Sequence, residues 1–423
     1  IKSSAASDVY KRQGIDIDIH GDKNAKSGIY VWGQGRNGAS LTISNDNQAE
    51  HAVKIRNTAA EKDAAILVDG RSVKDGGSAK LVIKGLVDVE NDDVSVIQAN
   101  KGDVSIGGGK IIAKGDKASS LKINNDGKIQ INGNLSDRNV LTAGAVKHDV
   151  QIEGNVLAQK GRLGLVLNTD GSYIKGLIGT DAGTAGQTYM MLSDGASWYH
   201  EGKGARTDGI KESKIKNLEA DGGNIYQKNE KPITIENYKG NMKLFYKHEN
   251  AGTKAADYKA GNTYIGSAAE GSRITVVTDN SGITMTDEAQ IYEVLNALAG
   301  KLYYDAYKTG EEKLTGQATI AEGLTSSSKT LEMKDMLFKK ENGQGYVQGK
   351  PTPPPLVNPV RHQIVEANYF AEEARDFWSK AGVYDGKGHY KFDHDLSLVT
   401  HAEDDPVTCL LYTSDAADDL IGV

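Results

Sequence analysis

Short alternating apolar triplets punctuate the chain from residue 14 to about residue 180. Leu41-Thr42-Ile43, Val53-Lys54-Ile55, Leu81-Val82-Ile83, Val104-Ser105-Ile106 and Leu121-Lys122-Ile123 all follow this form. Period-two alternation turns one side of an extended segment inward and the other outward. Gly, Asn and Asp bound these triplets too closely for helices. A second unit recurs beside them, as Val87-Asp88-Val89, Ile111-Ile112-Ala113, Ile129-Gln130-Ile131 and Val150-Gln151-Ile152. Its starts lie 24, 18 and 21 residues apart, an imperfect repeat of the length of one β-solenoid turn. The pattern predicts coils of two or three strands, each stacked on the last in parallel, with inward Val, Ile and Leu forming aliphatic columns. At about 4.8 Å per coil, roughly ten coils before residue 240 make a rod on the order of 50 Å long. An antiparallel β-sandwich also supplies short strands, but it leaves the spacing unexplained. The expected fold is therefore all-β, a right-handed parallel β-helix.

Residues 287–307 depart from this pattern. Asp287 and Gln290 have capping-box spacing. Ile291, Val294 or Leu295, Leu298 and Leu302 recur at helical intervals. An amphipathic helix over about 287–304 follows, with its apolar face against the solenoid. Five of the seven prolines fall in 351–359, which makes 351–361 a stiff, extended linker. His362 to Ala381 reads as a further helix, ended by Gly382. The expected organisation is a β-helix over 14–285, a helix and closing β-segment over 286–350, the linker, and a helix opening a C-terminal region over 362–408.

Met191-Leu192-Ser193-Asp194-Gly195-Ala196-Ser197-Trp198 resembles the L-x-x-G-A-x-W segment of autotransporter passengers. Ser213–Leu218, Gly222–Ile225, Ile233–Gly240 and Arg273–Asn280 resemble the coils that succeed it. Leu302-Tyr303-Tyr304, Ala321–Ser328 and Gly343–Tyr346 are similar to segments of one subgroup of these passengers, of the pertactin-like kind. The resemblance is strongest over 186–350. It implies secretion by the type V route and display at the outer membrane or cell surface of a Gram-negative-type bacterium. It also implies a β-barrel partner beyond this fragment and an adhesive or scaffolding role.

Ser3–Gln13 and Cys409–Asp418 can be encoded by one DNA sequence read on opposite strands, and that sequence resembles a transposon adapter from sequencing libraries. Residues 1–13 and 409–423 are accordingly expected to be adapter-derived. The only cysteine, Cys409, then drops out of any chemistry. The net charge of −7 becomes −6 once the +2 of residues 1–13 and the −3 of 409–423 are removed. A mildly acidic chain without a basic face argues against nucleic acid as partner. The 49 glycines and 6% aromatic content suit a thin aliphatic core with many corners.

Candidate chemistry is sparse. Asp16, Asp18 and His20 alternate with Ile15, Ile17 and Ile19, so they share one side of a strand. They read as its solvent face, with a metal or acid-pair site as the sharper option. His389, Asp393, His394 and Asp395 carry the right atoms for a divalent cation but meet no zinc spacing. Gly107-Gly108-Gly109-Lys110 lacks the full phosphate-loop spacing, and Ile111 stands where a hydroxyl is needed. It reads as a corner between Ile106 and Ile111. Lys101-Gly102-Asp103 and Lys114-Gly115-Asp116 read as corners too, integrin recognition being the alternative. Trp198 reads as a cap or plug of the aliphatic column, with sugar stacking as the alternative. No catalytic residue, cofactor site or metal ligand is assigned. The expected function is an extended adhesin or scaffold. The alternatives are a β-helix enzyme acting on polysaccharide and a passive spacer for a further N-terminal domain.

Overall fold

The computed structural model describes residues 9–10, 15–19, 27–36, 38–44, 51–58, 63–74, 77–92, 94–115, 118–179, 186–202, 209–247, 257–279, 288–320 and 333–348. The proline-rich linker 351–361, the expected helix after it and the region up to 408 lie outside these residues. By internal contacts the chain divides at Gln348 and Gly349, and everything below concerns the first unit.

Among the described residues, strands dominate and nearly all pair in parallel, as the alternation predicts. They form three ladders. The first runs from Ala39–Ser44 through the front of Ala79–Asn91 and of Asp103–Ala113 to Gly127–Ile131, Gly161–Leu167 and Gln187–Ser193. The second runs from Ile15–Ile19 through His51–Asn57 and the rear of the same two long strands. It continues to Val150–Glu153, Tyr173–Lys175 and Ser197–His200. The third links Ile29–Gly35, Ile66–Val73, Ser95–Asn100, Ser119–Asn124, Val156–Ala158 and Ile178–Gly179. Ser213–Gln227 and Ile233–Lys247 then pair along almost their whole length.

Register carries the core. On the second ladder Ile17, Ile55, Val89, Ile111, Ile152, Ile174, Trp198, Ile225, Leu244, Val276 and Ala318 are successive partners. From Ile55 onward every one of them is fully buried. A parallel column on the first ladder joins Ile43, Ile83, Ile106, Ile131, Leu165, Met190, Leu218, Tyr238 and Ala268. Each rung hides its apolar face only because the rungs above and below cover it, so stability comes from stacking. Several buried polar residues bond to backbone groups of neighbouring segments. Asn91, buried beside Asn57, donates from Nδ2 to the carbonyls of Asp63 (3.2 Å) and Ser95 (2.9 Å).

The two long strands pass from the first ladder to the second by bending. Asp103–Ala113 turns at Gly109, whose φ is 106°. A Cβ there would lie 2.1 Å from the Val87 carbonyl oxygen, so only glycine fits. The glycine run 107–109 is thus a corner, made inside a continuous strand. The sequence repeat needs correcting on the same ground. Ile129-Gln130-Ile131 pairs with Val104–Ile106 on the first ladder, whereas Ile111 is followed on the second ladder by Ile152. The intervals of 18 and 21 residues therefore step between faces and do not measure a coil.

Among the described residues Leu314–Thr319 is the last parallel strand. Met333–Phe338 and Gly345–Val347 follow it antiparallel. The predicted helix is present as Glu288–Ala299, shorter than expected because Leu302–Tyr304 returns to a parallel strand. Ile291, Val294, Leu295, Leu298 and Ala299 are fully buried. The helix packs on the last strands and is tied to them where Asn296 Oδ1 accepts the Val347 N–H at 2.9 Å. Asp287 and its capping box lie outside the described residues. At the other end Val9-Tyr10, inside the segment expected to be adapter-derived, runs parallel to Thr42-Ile43. The exposed edge of a parallel ladder offers backbone groups to any extended chain that reaches it.

Candidate functional site

The outward positions of the strands are where candidate surface chemistry lies, because the inward side chains are buried. Asp16 and Asp18 are exposed on the outer side of Ile15–Ile19, as expected, with Lys54 and Arg56 directly opposite. His20, His389, Asp393, His394, Asp395 and Asp116 lie outside the described residues. Among the described residues no group of three His, Cys, Asp or Glu side chains converges as metal ligands would. Lys101 sits at a left-handed corner with φ of 50°, and Asp103 faces Lys128 at 3.9 Å across the rungs.

Trp198 is wholly buried within the column, with rungs on both sides, and its Nε1 donates to the Gly176 carbonyl at 2.9 Å. It is a plug and takes no part in surface recognition. The next outward position carries a different aromatic series. Tyr199, Tyr226 and Phe245 occupy successive rungs and stack face to face, at 4.8 Å and 4.5 Å between ring centres. Lys228 lies 5.1 Å from the Tyr199 ring centre. Both faces of Tyr226 are covered by its neighbours, so only ring edges meet solvent. That geometry stabilises the ladder and leaves Tyr226 no open face for a sugar ring.

A hydrogen-bonded Ser–His–Gln group also emerges. His200 Nε2 lies 2.8 Å from Ser213 Oγ, and its Nδ1 is bonded to Gln227 Oε1. Gln227 donates in turn to the carbonyls of Lys231 (2.9 Å) and Gly261 (3.2 Å). The partners resemble a nucleophile, base and orienting group. Yet all three are fully buried, and the Ser213 oxygen also accepts the Ile178 N–H at 3.0 Å. Burial pushes the His200 imidazole down from 6.5 to about 3, so it is neutral and serves as a polar peg joining rungs. The sequence carries no warning of this group, since its members are linked only by register.

One segment stands off the faces. Gly133–Leu135 and Leu141–Ala143 form an antiparallel hairpin laid over the first ladder at Gly164. A Cβ at Gly164 would approach Leu135 Cβ to 2.9 Å, so the glycine seats the hairpin. Arg162 Nη1 pins it through Asn139 Oδ1 at 3.2 Å, and Lys147 Nζ bonds Asp194 at 2.7 Å. Val140 and Val146 are exposed there, in contrast to the polar faces around them.

No protein-family model, curated protein or solved structure matches the chain.

Proposed function

We propose that the chain is a right-handed parallel β-helix, the passenger of an autotransporter, acting at the bacterial surface as an extended adhesin or scaffold. The observation that carries this reading is the unbroken register from Ile17 to Ala318. Such a stack fills its own interior and leaves long outer faces and corner insertions as the available recognition surface. Right-handedness is what parallel strand-to-strand crossovers in one sheet adopt in nearly all proteins. The ordered segments at 186–350 that resemble autotransporter passengers support the secretion route. The hairpin at 133–149, with its exposed valines, is the contact element proposed for a partner.

Antibodies raised against residues 133–149 test the display. They should label intact cells that express the complete reading frame, and beads coated with the chain should retain host cells or matrix. Labelling only after permeabilisation contradicts surface display. Retention unchanged when Val140 and Val146 are both replaced by Ser removes the hairpin from the adhesive role.

A further inference from the structure

The hairpin over the first ladder carries a motif that neither the core nor the register uses. Asn134-Leu135-Ser136 is the only place in the chain where an asparagine is followed two positions later by Ser or Thr with no proline between. That spacing is the acceptor signal for attachment of a sugar to the asparagine carboxamide. The fold puts it where an acceptor must be. Leu135 is buried against Gly164, so it faces the first ladder. Alternation then turns Asn134 and Ser136 the other way. Asn134 is exposed, and its carboxamide makes no hydrogen bond among the described residues. Thr142 directly opposite, with Ala143 and Gly144 after it, is small and exposed, which leaves room for a saccharide. The backbone there is held in place, since Thr142 Oγ1 donates to the Asn134 carbonyl at 3.3 Å and Ser136 N–H to the Val140 carbonyl at 2.9 Å. Ser136 Oγ accepts the Val140 N–H at 3.1 Å, which leaves its own proton for a partner. Asn132, two residues earlier, is buried and donates to Asn168 Oδ1 at 2.9 Å, so it is closed to the same chemistry.

We propose that Asn134 is a glycosylation site, modified by a transferase that takes its sugar from a glycosyl diphosphate. Asn134 Nδ2 attacks the anomeric carbon of that sugar. A carbon–nitrogen bond forms as the bond from the anomeric carbon to the phosphate oxygen breaks. The diphosphate leaves with the electron pair, and one amide proton passes to a base of the transferase. Ser136 is a positioning residue, whose hydroxyl holds the acceptor segment to the enzyme. The inference rests on the hairpin alone and does not need the adhesive reading.

The test is mass spectrometry of the chain isolated from the organism that encodes it. Trypsin cuts after Lys128 and Arg138 and releases residues 129–138. This peptide should carry the added mass of one or more monosaccharides, and electron-transfer fragmentation should place that mass on Asn134. Expressed in the same organism, Ser136→Ala should lose the modification and Ser136→Thr should keep it, both with unchanged circular dichroism spectra. Two further arms distinguish the donors. Membrane-free extract supplied with nucleoside diphosphate sugars modifies the recombinant chain where the donor is soluble, and the membrane fraction does so where the diphosphate is borne on a lipid. Modification of Asn134 in either arm supports the proposal. A bare peptide from the native source overturns it. So does a sugar placed on Ser136 or Asn132, or modification that survives in Ser136→Ala.

Discussion

Trp198 is the largest side chain in the core and the clearest test of its packing. Its indole fills a column otherwise made of Ile, Val, Leu and Ala, with its one polar atom bonded to Gly176. Trp198→Ala leaves a cavity between two fixed rungs and should cost about 3–5 kcal/mol in urea denaturation. Its inward position was legible from alternation, but its place in the middle of the column was not, because that needs the rung order. His200 yields a prediction in pH. The folded chain holds the imidazole near 3, against 6.5 for the free side chain. The unfolded chain therefore binds a proton below about 6.5 that the folded chain refuses until about 3. Stability from this source is intact above 6.5 and falls as pH drops through that window, by up to about 1.4 kcal/mol per unit. His200→Asn should flatten the fall in the urea midpoint between pH 6.5 and 4.5, relative to wild type. An equal fall in both would show that other groups govern the acid limb.

At the scale of elements, alternation read the strands well and their grouping poorly. Leu81-Val82-Ile83, Val53-Lys54-Ile55 and Leu121-Lys122-Ile123 look alike in sequence yet lie on the first, second and third ladders respectively. A period of two says which side faces in, and nothing local says which face of the stack a strand joins. That assignment depends on corner length and on bends such as Gly109. The helix Glu288–Ala299 was more legible, since helical spacing of apolar residues is rare in this chain. Its apolar face packs on the last parallel strands among the described residues. Leu298→Asp places a charge in that contact and should destabilise by about 3–5 kcal/mol. Limited proteolysis should then cut first within 263–347, while the rungs before residue 200 resist for longer. Uniform loss of resistance along the chain would mean that the stack unfolds as one unit and the helix is no local cap.

For the whole molecule, one arrangement recurs from the rung at Ile17 to the rung at Ala318. The polar pegs, the stacked Tyr199–Tyr226–Phe245 series and the opposite charges that face each other across rungs all follow from one geometric fact, parallel strands in register. None of these was readable from residue types alone, because each joins residues about 13 to 40 positions apart whose pairing only the register defines. The same fact gives the most direct test. In a background with Cys409→Ser, paired cysteines are introduced at the outer positions of His51–Asn57 and Ala79–Asn91. Parallel register sets residue 54 beside 88 and residue 56 beside 90, at a separation that a disulfide spans. Under mild oxidation Lys54→Cys with Asp88→Cys, and Arg56→Cys with Glu90→Cys, should each cross-link rapidly, while 54 with 90 and 56 with 88 should not. Rapid cross-linking of 54 with 90 and of 56 with 88 instead would mean antiparallel strands and would contradict the stacked-coil account.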